Sequence, residues 1–373
     1  MKLFDVYPLF NITPVKAEGS WIWDDQGHRY LDLYGGHAVI SIGHSHPHYI
    51  KALNDQLVRI AFYSNSVQNP LQEKLAEKLG QVSGYPDYQL FLCNSGAEAN
   101  ENAMKLASFV TGRKKIIAFK KSFHGRTSGA VAATDNPKII APFNAGHEVV
   151  FVPLNDEKAF LNALDNQVAA VIIEGIQGVG GIQLPENSFL HLLETKCTEN
   201  GSLLILDEIQ SGYGRTGKFF SHQFASVRPH LITMAKGMGN GFPVGGVLIH
   251  GDIKPWSGML GTTFGGNYLA AAAGLAVLEV IQNEDLMLNA TEIGTYLMTE
   301  LLRIKGLTAV RGRGLIIGFD VPEENKSVRS NLLFKHHIFT GEAKPNVIRL
   351  LPSLALKRSE ADQLLTALKE ELT

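Results

Sequence analysis

The chain is expected to fold as an α/β protein, with a large unit on a mainly parallel sheet followed by a smaller α+β unit. Three observations predict this. From about residue 48 to 250, apolar runs of strand length (YQLFLC, KKIIAFK, EVVFVP, VAAVIIE, SLLILD, LITMAK and GGVLIH) mostly alternate with helix-patterned segments such as 97–111 and 186–199. Runs that are apolar throughout belong to strands covered on both faces, and helical crossovers supply the cover. After about residue 267 the order changes to long helical patterns over 267–283 and 285–305, then the strand-like GLIIGFD and NVIRLLP, then a last helix with Ser359 as its expected N-cap. The organisation implied is an N-terminal segment over 1–47 that packs with the small domain, a large domain over 48–266 and a small domain over 267–373.

Within the N-terminal segment, MKLFDVYPLFNITPVK has neither an uninterrupted apolar stretch nor a small-residue cleavage site, so no export signal is read there. Residues 20–34 (SWIWDDQGHRYLDLY) read as two short strands around a turn at Asp24 to Gly27, a hairpin at the edge of something larger. His44, His46 and His48 alternate and would share one face of a strand. Pro47 breaks such a strand and no cysteine or acid cluster lies nearby in sequence, so a turn leading into a helix after His48 is expected rather than a metal site. Leu269 to Ile281, the longest apolar stretch, is too short to span a bilayer and is expected to be a buried helix.

Composition excludes several function classes. A chain of 373 residues that is 45% hydrophobic and 19% charged can bury a large core. Its formal net charge of −2 and pI near 6.7 provide no electrostatic footprint for nucleic acid or an anionic membrane. The two cysteines, Cys93 and Cys197, have no metal-ligand spacing and make no disulfide framework, which suits a reducing cytoplasm.

The chemistry-bearing residues stand where strands end, the edge at which open α/β sheets gather ligands. Lys236 follows the run LITMA into a glycine-rich turn, and Asp207 closes SLLILD. Lysine and aspartate so placed match the needs of pyridoxal phosphate (PLP). Its aldehyde requires an amine for a Schiff base, and its pyridine nitrogen requires a fixed carboxylate to stay protonated, so that the ring can accept electrons. The segment Asn94 to Asn100 (NSGAEAN) follows YQLFLC and opens a helix, so the N–H groups of Gly96 and Ala97 would face a phosphate at a positive helix end; Ser95 is equally readable as an ordinary N-cap. After KKIIAFK, Phe123 is placed either to cover a flat ring or to pack in the core, and Arg126 could clamp a carboxylate.

A nucleotide site is the rival reading. Gly212, Gly214 and Gly217 satisfy G-x-G-x-x-G, and Gly212 to Lys218 nearly satisfies the P-loop pattern. Phe219 stands where a magnesium-binding Ser or Thr is required, and Asp207 precedes the glycines instead of following them. For a dinucleotide fingerprint, the acid that should bind ribose about twenty residues on is missing, since no Asp or Glu occurs between Glu208 and Asp252.

Ordered along the chain, YGGHAVISIGHSHP, NSGAEANENAMKLA, SFHGRT, IIEGIQGVGG, LDEIQSGYGRTG, MAKGMGNGFPVG, TTFGGNYLAAAAG and VIRLLPSL resemble the class III aminotransferases of PLP fold type I, in the acetylornithine (or succinylornithine) aminotransferase branch. The resemblance implies an aspartate aminotransferase-like fold and a set of roles. Lys236 would be the Schiff-base lysine and Asp207 the partner of the pyridine nitrogen. Ser95, Gly96 and Ala97 would form the phosphate cup, Phe123 and Ile209 would flank the ring, and Gln210 would approach its phenolic oxygen. Thr263 would reach the phosphate of a neighbouring subunit, implying a homodimer with shared active sites. Arg349 would grip the α-carboxylate of 2-oxoglutarate or glutamate, and Arg126 the carboxylate of the acylated ornithine. The implied reaction moves the terminal amino group of N-acetylornithine to 2-oxoglutarate, giving N-acetylglutamate semialdehyde and glutamate in arginine biosynthesis, with N-succinylornithine or another ω-amine as the alternative donor.

This chain departs from that pattern at three places. In the stretch that reads E-P-x-Q-G-E-G-G in the family, Gly175 replaces the proline and Val179 replaces the second glutamate, which in the family pairs with the arginine at the Arg349 position while the amine donor is bound. Arg349 would then stay available throughout the cycle unless another acid or a water network takes that role. Tyr268 replaces the usual proline after Asn267.

Overall fold

The computed structural model describes residues 1–343 and 345–372. Its centre is a seven-stranded sheet made of β4 (Gln89–Cys93), β5 (Lys115–Phe119), β6 (Val149–Val152), β7 (Val168–Glu174), β8 (Leu203–Asp207), β9 (Leu231–Met234) and β10 (Gly245–Ile249), in the order β4-β10-β9-β8-β7-β5-β6. All seven apolar runs are strands of this one sheet. Its neighbours are parallel from β9 through β6, whereas β10 runs against both β9 and β4.

Successive side chains of a strand point to opposite faces, and here both faces are covered. Ile116 and Ala118 join Ile172 and Ile205 beneath Ala103 and Leu106 of the helix Gly96–Thr111. Ile117 and Phe119 join Ile173, Leu204 and Leu206 against Phe189 and Leu193 of the helix Asn187–Asn200. Such two-sided cover is why these strands read as continuous apolar runs.

Two four-stranded sheets flank the centre. The expected hairpin is present as β2 (Trp21–Asp24) and β3 (Arg29–Asp32). It is extended on one side by β1 (Pro14–Glu18), a mostly exposed strand, and on the other by the two-residue β13 (Ile338–Phe339), which runs parallel to β3. The third sheet orders β11 (Thr308–Arg313), β12 (Ile316–Asp320), β15 (Val347–Leu350) and β14 (Gly341–Ala343). Helices Tyr268–Asn283 and Leu286–Leu301 occupy the expected long helical segments, the second ending four residues early.

Two helix starts differ from expectation. The last helix spans Arg358–Leu372, so Ser359 lies inside it rather than at its cap. The carboxylate of Glu360 reaches back to accept the Lys357 N–H (2.8 Å), the bond that an acid at the third helical position makes to the residue that caps it. The helix expected after His48 begins two residues earlier, at Pro47, with His46 as N-cap. Proline fits that first position because the N–H it lacks would have no intrahelical acceptor. The three imidazoles of this turn diverge, His44 to Asp32, His46 to Glu284 and His48 to Glu279. Tyr268 likewise occupies the first position of its helix, behind an Asn267 cap that accepts from Ala270 N (3.0 Å). Among the described residues no helix is long and apolar enough to cross a membrane.

Candidate active site

The carboxyl ends of β4, β5, β7, β8 and β9 meet at one edge of the central sheet around a cavity of about 390 Å³. Ser95, Gly96, Ala97, Phe123, Arg126, Asp207, Ile209, Gln210 and Lys236 all line it, together with Val179. Two expected site residues stand apart. Arg349 is buried on β15 outside the lining, yet close enough to act electrostatically on Lys236. Thr263 is exposed on the loop before the helix Tyr268–Asn283.

On one wall β4 turns directly into the helix Gly96–Thr111. Ser95 Oγ accepts the Glu98 N–H (3.2 Å) and the Glu98 carboxylate accepts the Asn94 N–H (2.8 Å), which fixes the turn reciprocally. The N–H groups of Gly96 and Ala97 are then the helix-start donors directed outward. Gly125 packs on this turn with φ of 139°, and a Cβ there would come within 2.7 Å of Ala97 Cβ. Only glycine lets the 123–126 loop lie this close.

At the floor, Asp207 is 4% exposed and heavily bonded. Its Oδ2 accepts from Asn100 Nδ2 and sits 2.7 Å from His124 Nδ1, while Oδ1 accepts the Ile209 N–H at 3.1 Å. Beside it, at the same level of β7, is Glu174. Its two oxygens accept N–H groups from Phe123 (3.0 Å) and Gly178 (3.2 Å), tying the loop that carries Phe123 to the loop that carries Val179. Burial pushes the Glu174 carboxyl up to about 7; His124 opposes this, Asp207 adds to it, and the two N–H bonds also oppose it. Gly175 earns its place by donating its N–H to Asp207 O (3.1 Å), a bond that the family's proline could not make.

Lys236 leaves β9 in a left-handed conformation, φ 47°. Its amine has no hydrogen-bond or ion-pair partner among the described residues, and its pKa is lowered, chiefly by burial and further by Arg349 and Arg215, against the pull of Asp207 and Glu174. Opposite, four consecutive residues are left-handed: Gly35 (φ 54°), Gly36 (55°), His37 (68°) and Ala38 (66°). Two of these have side chains, and such strain persists only where surroundings impose it. Gln210 Nε2 donates to His37 O (3.1 Å) and holds the turn at the cavity.

Arg349 lies on β15 opposite Gly341 of β14. Its Nε and Nη1 are buried without a hydrogen-bond partner, and among the described residues no carboxylate lies within ion-pair distance. Burial lowers its pKa, opposed by Tyr34 and Glu174. Val179 is half exposed at the cavity, and among the described residues no carboxylate pairs with Arg349 in place of the family's glutamate, although Glu174 and Glu342 act on it at longer range.

The glycine segment of the nucleotide reading serves elsewhere. The stretch after Lys218 is a short 3₁₀ turn, Ser221–Phe224, so no α-helix start faces those glycines. Lys218 donates to Gln223 O, and Arg215 is buried with bonds to Leu315 O and Pro352 O. Sequence reasoning missed Asn100, His124, Glu174 and the 35–38 turn. Glu174 closes β7 and His124 lies on the loop after β5, a weak signal; the roles of Asn100 and the turn arise only from contacts between distant segments.

The donor set fits PLP. An unpartnered, pKa-lowered amine meets the need of its aldehyde, a buried carboxylate with a free lone pair meets the need of its ring nitrogen, and a helix N-terminus meets the need of its phosphate.

Comparison with known proteins gives the same direction. Residues 5–372 match the family model for aminotransferase class III. Acetylornithine aminotransferase of Nitrosomonas europaea is 39% identical over 389 aligned positions, covering 100% of this chain and 97% of that protein. The Bacillus subtilis acetylornithine aminotransferase is 40% identical, over 99% of this chain and 97% of that protein. Among solved structures, an ornithine aminotransferase from Toxoplasma gondii with partial PLP occupancy superposes with a TM-score of 0.90 at 28% identity, covering 98% of this chain and 90% of that one. An (S)-enantioselective ω-transaminase from Thermomicrobium roseum superposes with a TM-score of 0.89 at 28% identity, covering 99% and 96%.

Proposed function

The chain belongs to the class III aminotransferases, PLP-dependent enzymes, and from that premise we propose that it transfers the terminal amino group of N-acetylornithine to 2-oxoglutarate. The products are N-acetylglutamate semialdehyde and glutamate, and the setting is arginine biosynthesis in the cytoplasm. The observation that carries the reading is the unpartnered Lys236 amine facing Asp207 in a cavity that also exposes a helix N-terminus.

When bound, PLP supplies a carbonyl for the amine and a ring that takes up the electrons released as a C–H bond breaks. Lys236 holds it, and Nζ, unprotonated more readily than an ordinary lysine because of its burial, moves the proton from the carbon bearing the transferred nitrogen. Asp207 keeps the ring nitrogen protonated through a charge-assisted bond. Gly96 and Ala97, with Ser95, would hold the phosphate; Phe123 and Ile209 would flank the ring, and Gln210 would serve its phenolic oxygen. Arg126 takes the carboxylate of the acylated ornithine and Arg349 the α-carboxylate of the oxo acid. Thr263, exposed and away from its own cavity, completes the site of a partner subunit in a homodimer.

The test is a half-reaction screen. Each candidate amine is added to the purified yellow enzyme, and N-acetylornithine is expected to bleach it and release the aldehyde. Borohydride reduction before digestion should leave the label on Lys236. Label on Lys218, or no chromophore in any preparation, would refute the PLP assignment.

A second donor is favoured by one observation, that among the described residues no carboxylate pairs with Arg349, with Val179 at the masking position. N-succinylornithine carries a carboxylate where N-acetylornithine has a methyl, and a desolvated arginine gains roughly 1.5 to 3 kcal/mol from such a partner. A higher kcat/KM for the succinyl substrate would select this reading.

A further inference from the structure

Arg126 is exposed at the cavity with no hydrogen-bond or ion-pair partner among the described residues, so its reach is set by the backbone that carries it. That backbone is anchored on both sides. Ahead of Arg126, the Phe123 N–H donates to Glu174 (3.0 Å) and the His124 N–H to Thr134 Oγ1 (2.9 Å). Behind it, the short helix Ser128–Ala132 starts at Thr127, whose side chain makes no cap bond. Glu101, on the helix Gly96–Thr111, takes the free donors instead. Its Oε1 accepts from Gly129 N (2.9 Å), and its Oε2 from Ala130 N (2.9 Å) and the Thr127 hydroxyl (2.6 Å).

Glycines bring the loop within reach of that carboxylate. A Cβ on residue 129 would stand 3.0 Å from Glu101 Oε1, and the Gly125 turn lets the same loop lie against Ala97, one helical turn before Glu101. Two consequences follow from the contacts. With three donors upon it, Glu101 makes no ion pair with Arg126, whose neighbour Thr127 is one of those donors, and the guanidinium stays free for an anion entering the cavity. Because Glu101 and the 96–97 turn belong to one helix, the arginine loop is also fixed relative to the helix start that faces the cavity.

We propose that Glu101 is a positioning residue for the amino donor: by capping the segment after Arg126, it fixes where the guanidinium meets the donor's carboxylate and so sets the preference for amines that carry one. The proposal rests on the reading of Arg126 as the clamp of that carboxylate. Glu101 is outside the cavity lining, so its effect falls on one group of one substrate and not on proton transfer at Lys236.

The test compares two amines that differ by that group alone, an N-acylornithine and the N-acyl-1,4-diaminobutane with the same acyl group, acetyl or succinyl according to which the parent prefers. Bleaching of the yellow holoenzyme follows the amine half-reaction, and the parent should bleach faster with the acylornithine. In Glu101→Gln the amide has one accepting oxygen, which leaves either the Gly129 or the Ala130 N–H without an acceptor. The second-order bleaching constant should fall roughly 10- to 100-fold for the acylornithine, as for a clamp displaced by about 1 Å, and stay within about threefold of the parent for the acyldiaminobutane. Cofactor retention on dialysis should be unchanged, and urea midpoints report the fold. Should the Glu101→Gln chain not fold, Gly129→Ala decides, since it keeps the charge and presses a Cβ on the same carboxylate; the same separation of the two amines is expected. Equal losses with both amines, or no loss with either, overturn the role of Glu101. Arg126→Gln measured alongside separates the two levels. A parent that does not distinguish the amines, or an Arg126→Gln variant that distinguishes them as the parent does, overturns the reading of Arg126 itself, whereas a lost preference in Arg126→Gln with a parent-like Glu101→Gln overturns only the role of Glu101.

Discussion

Asp207→Asn is the substitution whose consequence can be followed atom by atom. The carboxylate accepts three hydrogen bonds, two at Oδ2 from Asn100 and His124 and one at Oδ1 from Ile209 N. An amide has only one accepting oxygen. If its NH₂ replaced Oδ2, it would face both the Asn100 amide and the His124 N–H, two donor–donor conflicts. The oxygen therefore stays at the Oδ2 position and the NH₂ takes the Oδ1 position, against the Ile209 N–H. The fold loses one backbone bond and leaves one buried donor unsatisfied, a cost of about 1 to 3 kcal/mol that a chain of this size tolerates. The functional cost falls at the same atom. Where an anion would accept from the protonated ring nitrogen, a second donor now stands, so a charge-assisted bond of roughly 1.5 to 3 kcal/mol is lost and replaced by repulsion. We expect kcat/KM to fall by at least about 10- to 100-fold, with a parent-like circular dichroism spectrum and oligomeric state. Steady-state kinetics with N-acetylornithine and 2-oxoglutarate, and stopped-flow bleaching of each half-reaction, measure it. A variant within about threefold of the parent in both half-reactions would refute the role of Asp207.

Three further outcomes are expected. Mixing an inactive Lys236→Ala chain with an impaired Thr263→Ala chain should restore about a quarter of parental activity, because half the dimers are hybrids and each hybrid regains one intact site; no recovery despite demonstrated hybrids would end the shared-site reading. Val179→Glu, which gives Arg349 a carboxylate partner, should reduce kcat/KM for N-succinylornithine roughly 10- to 100-fold more than for N-acetylornithine if Arg349 meets the succinyl carboxylate, and equal losses would exclude that contact. Glu174, held near 7 by burial, contributes stability fully below its unfolded value near 4.5 and loses it as pH rises through about 7. Apoprotein with Glu174→Gln should therefore gain on the parent between pH 5 and pH 8, by on the order of 3 kcal/mol; a difference in urea midpoints that does not change with pH would contradict the assigned shift.

The seven strands of the central sheet were legible because a strand buried on both faces must be apolar at every position, and such runs stand out against the helices between them. Strand ends were legible for the same reason: where an apolar run stops at Asp207 or Glu174, or passes into Ala235 and Lys236, a polar group meets the edge of the sheet. Local signals failed where pairing was weak or distant. β1 alternates too little and is too exposed to be read as a strand, and the two residues of β13 have no pattern of their own; Leu31 across from Ile338 makes them one. The helix starts ahead of Ser359 because Glu360, three residues after Lys357, reaches back to the Lys357 N–H and places the cap there.

The site divides along the same line. By itself the sequence determined the residue types, their order and their places at strand ends, since glycine turns, helix starts and strand ends are properties of short segments; Lys236, Asp207 and the 95–97 turn follow from these. The tertiary structure alone decided the reversal of β10, the left-handed turn at residues 35–38, the grip of His124 and Asn100 on one oxygen of Asp207, and the lack of an ion-pair partner for Arg349 among the described residues. Each of these depends on a hydrogen bond, or on its absence, between residues far apart in the chain. Such a bond has no local pattern, because its strength comes from a distance and a direction that exist only once the sheet has brought both partners to the same edge.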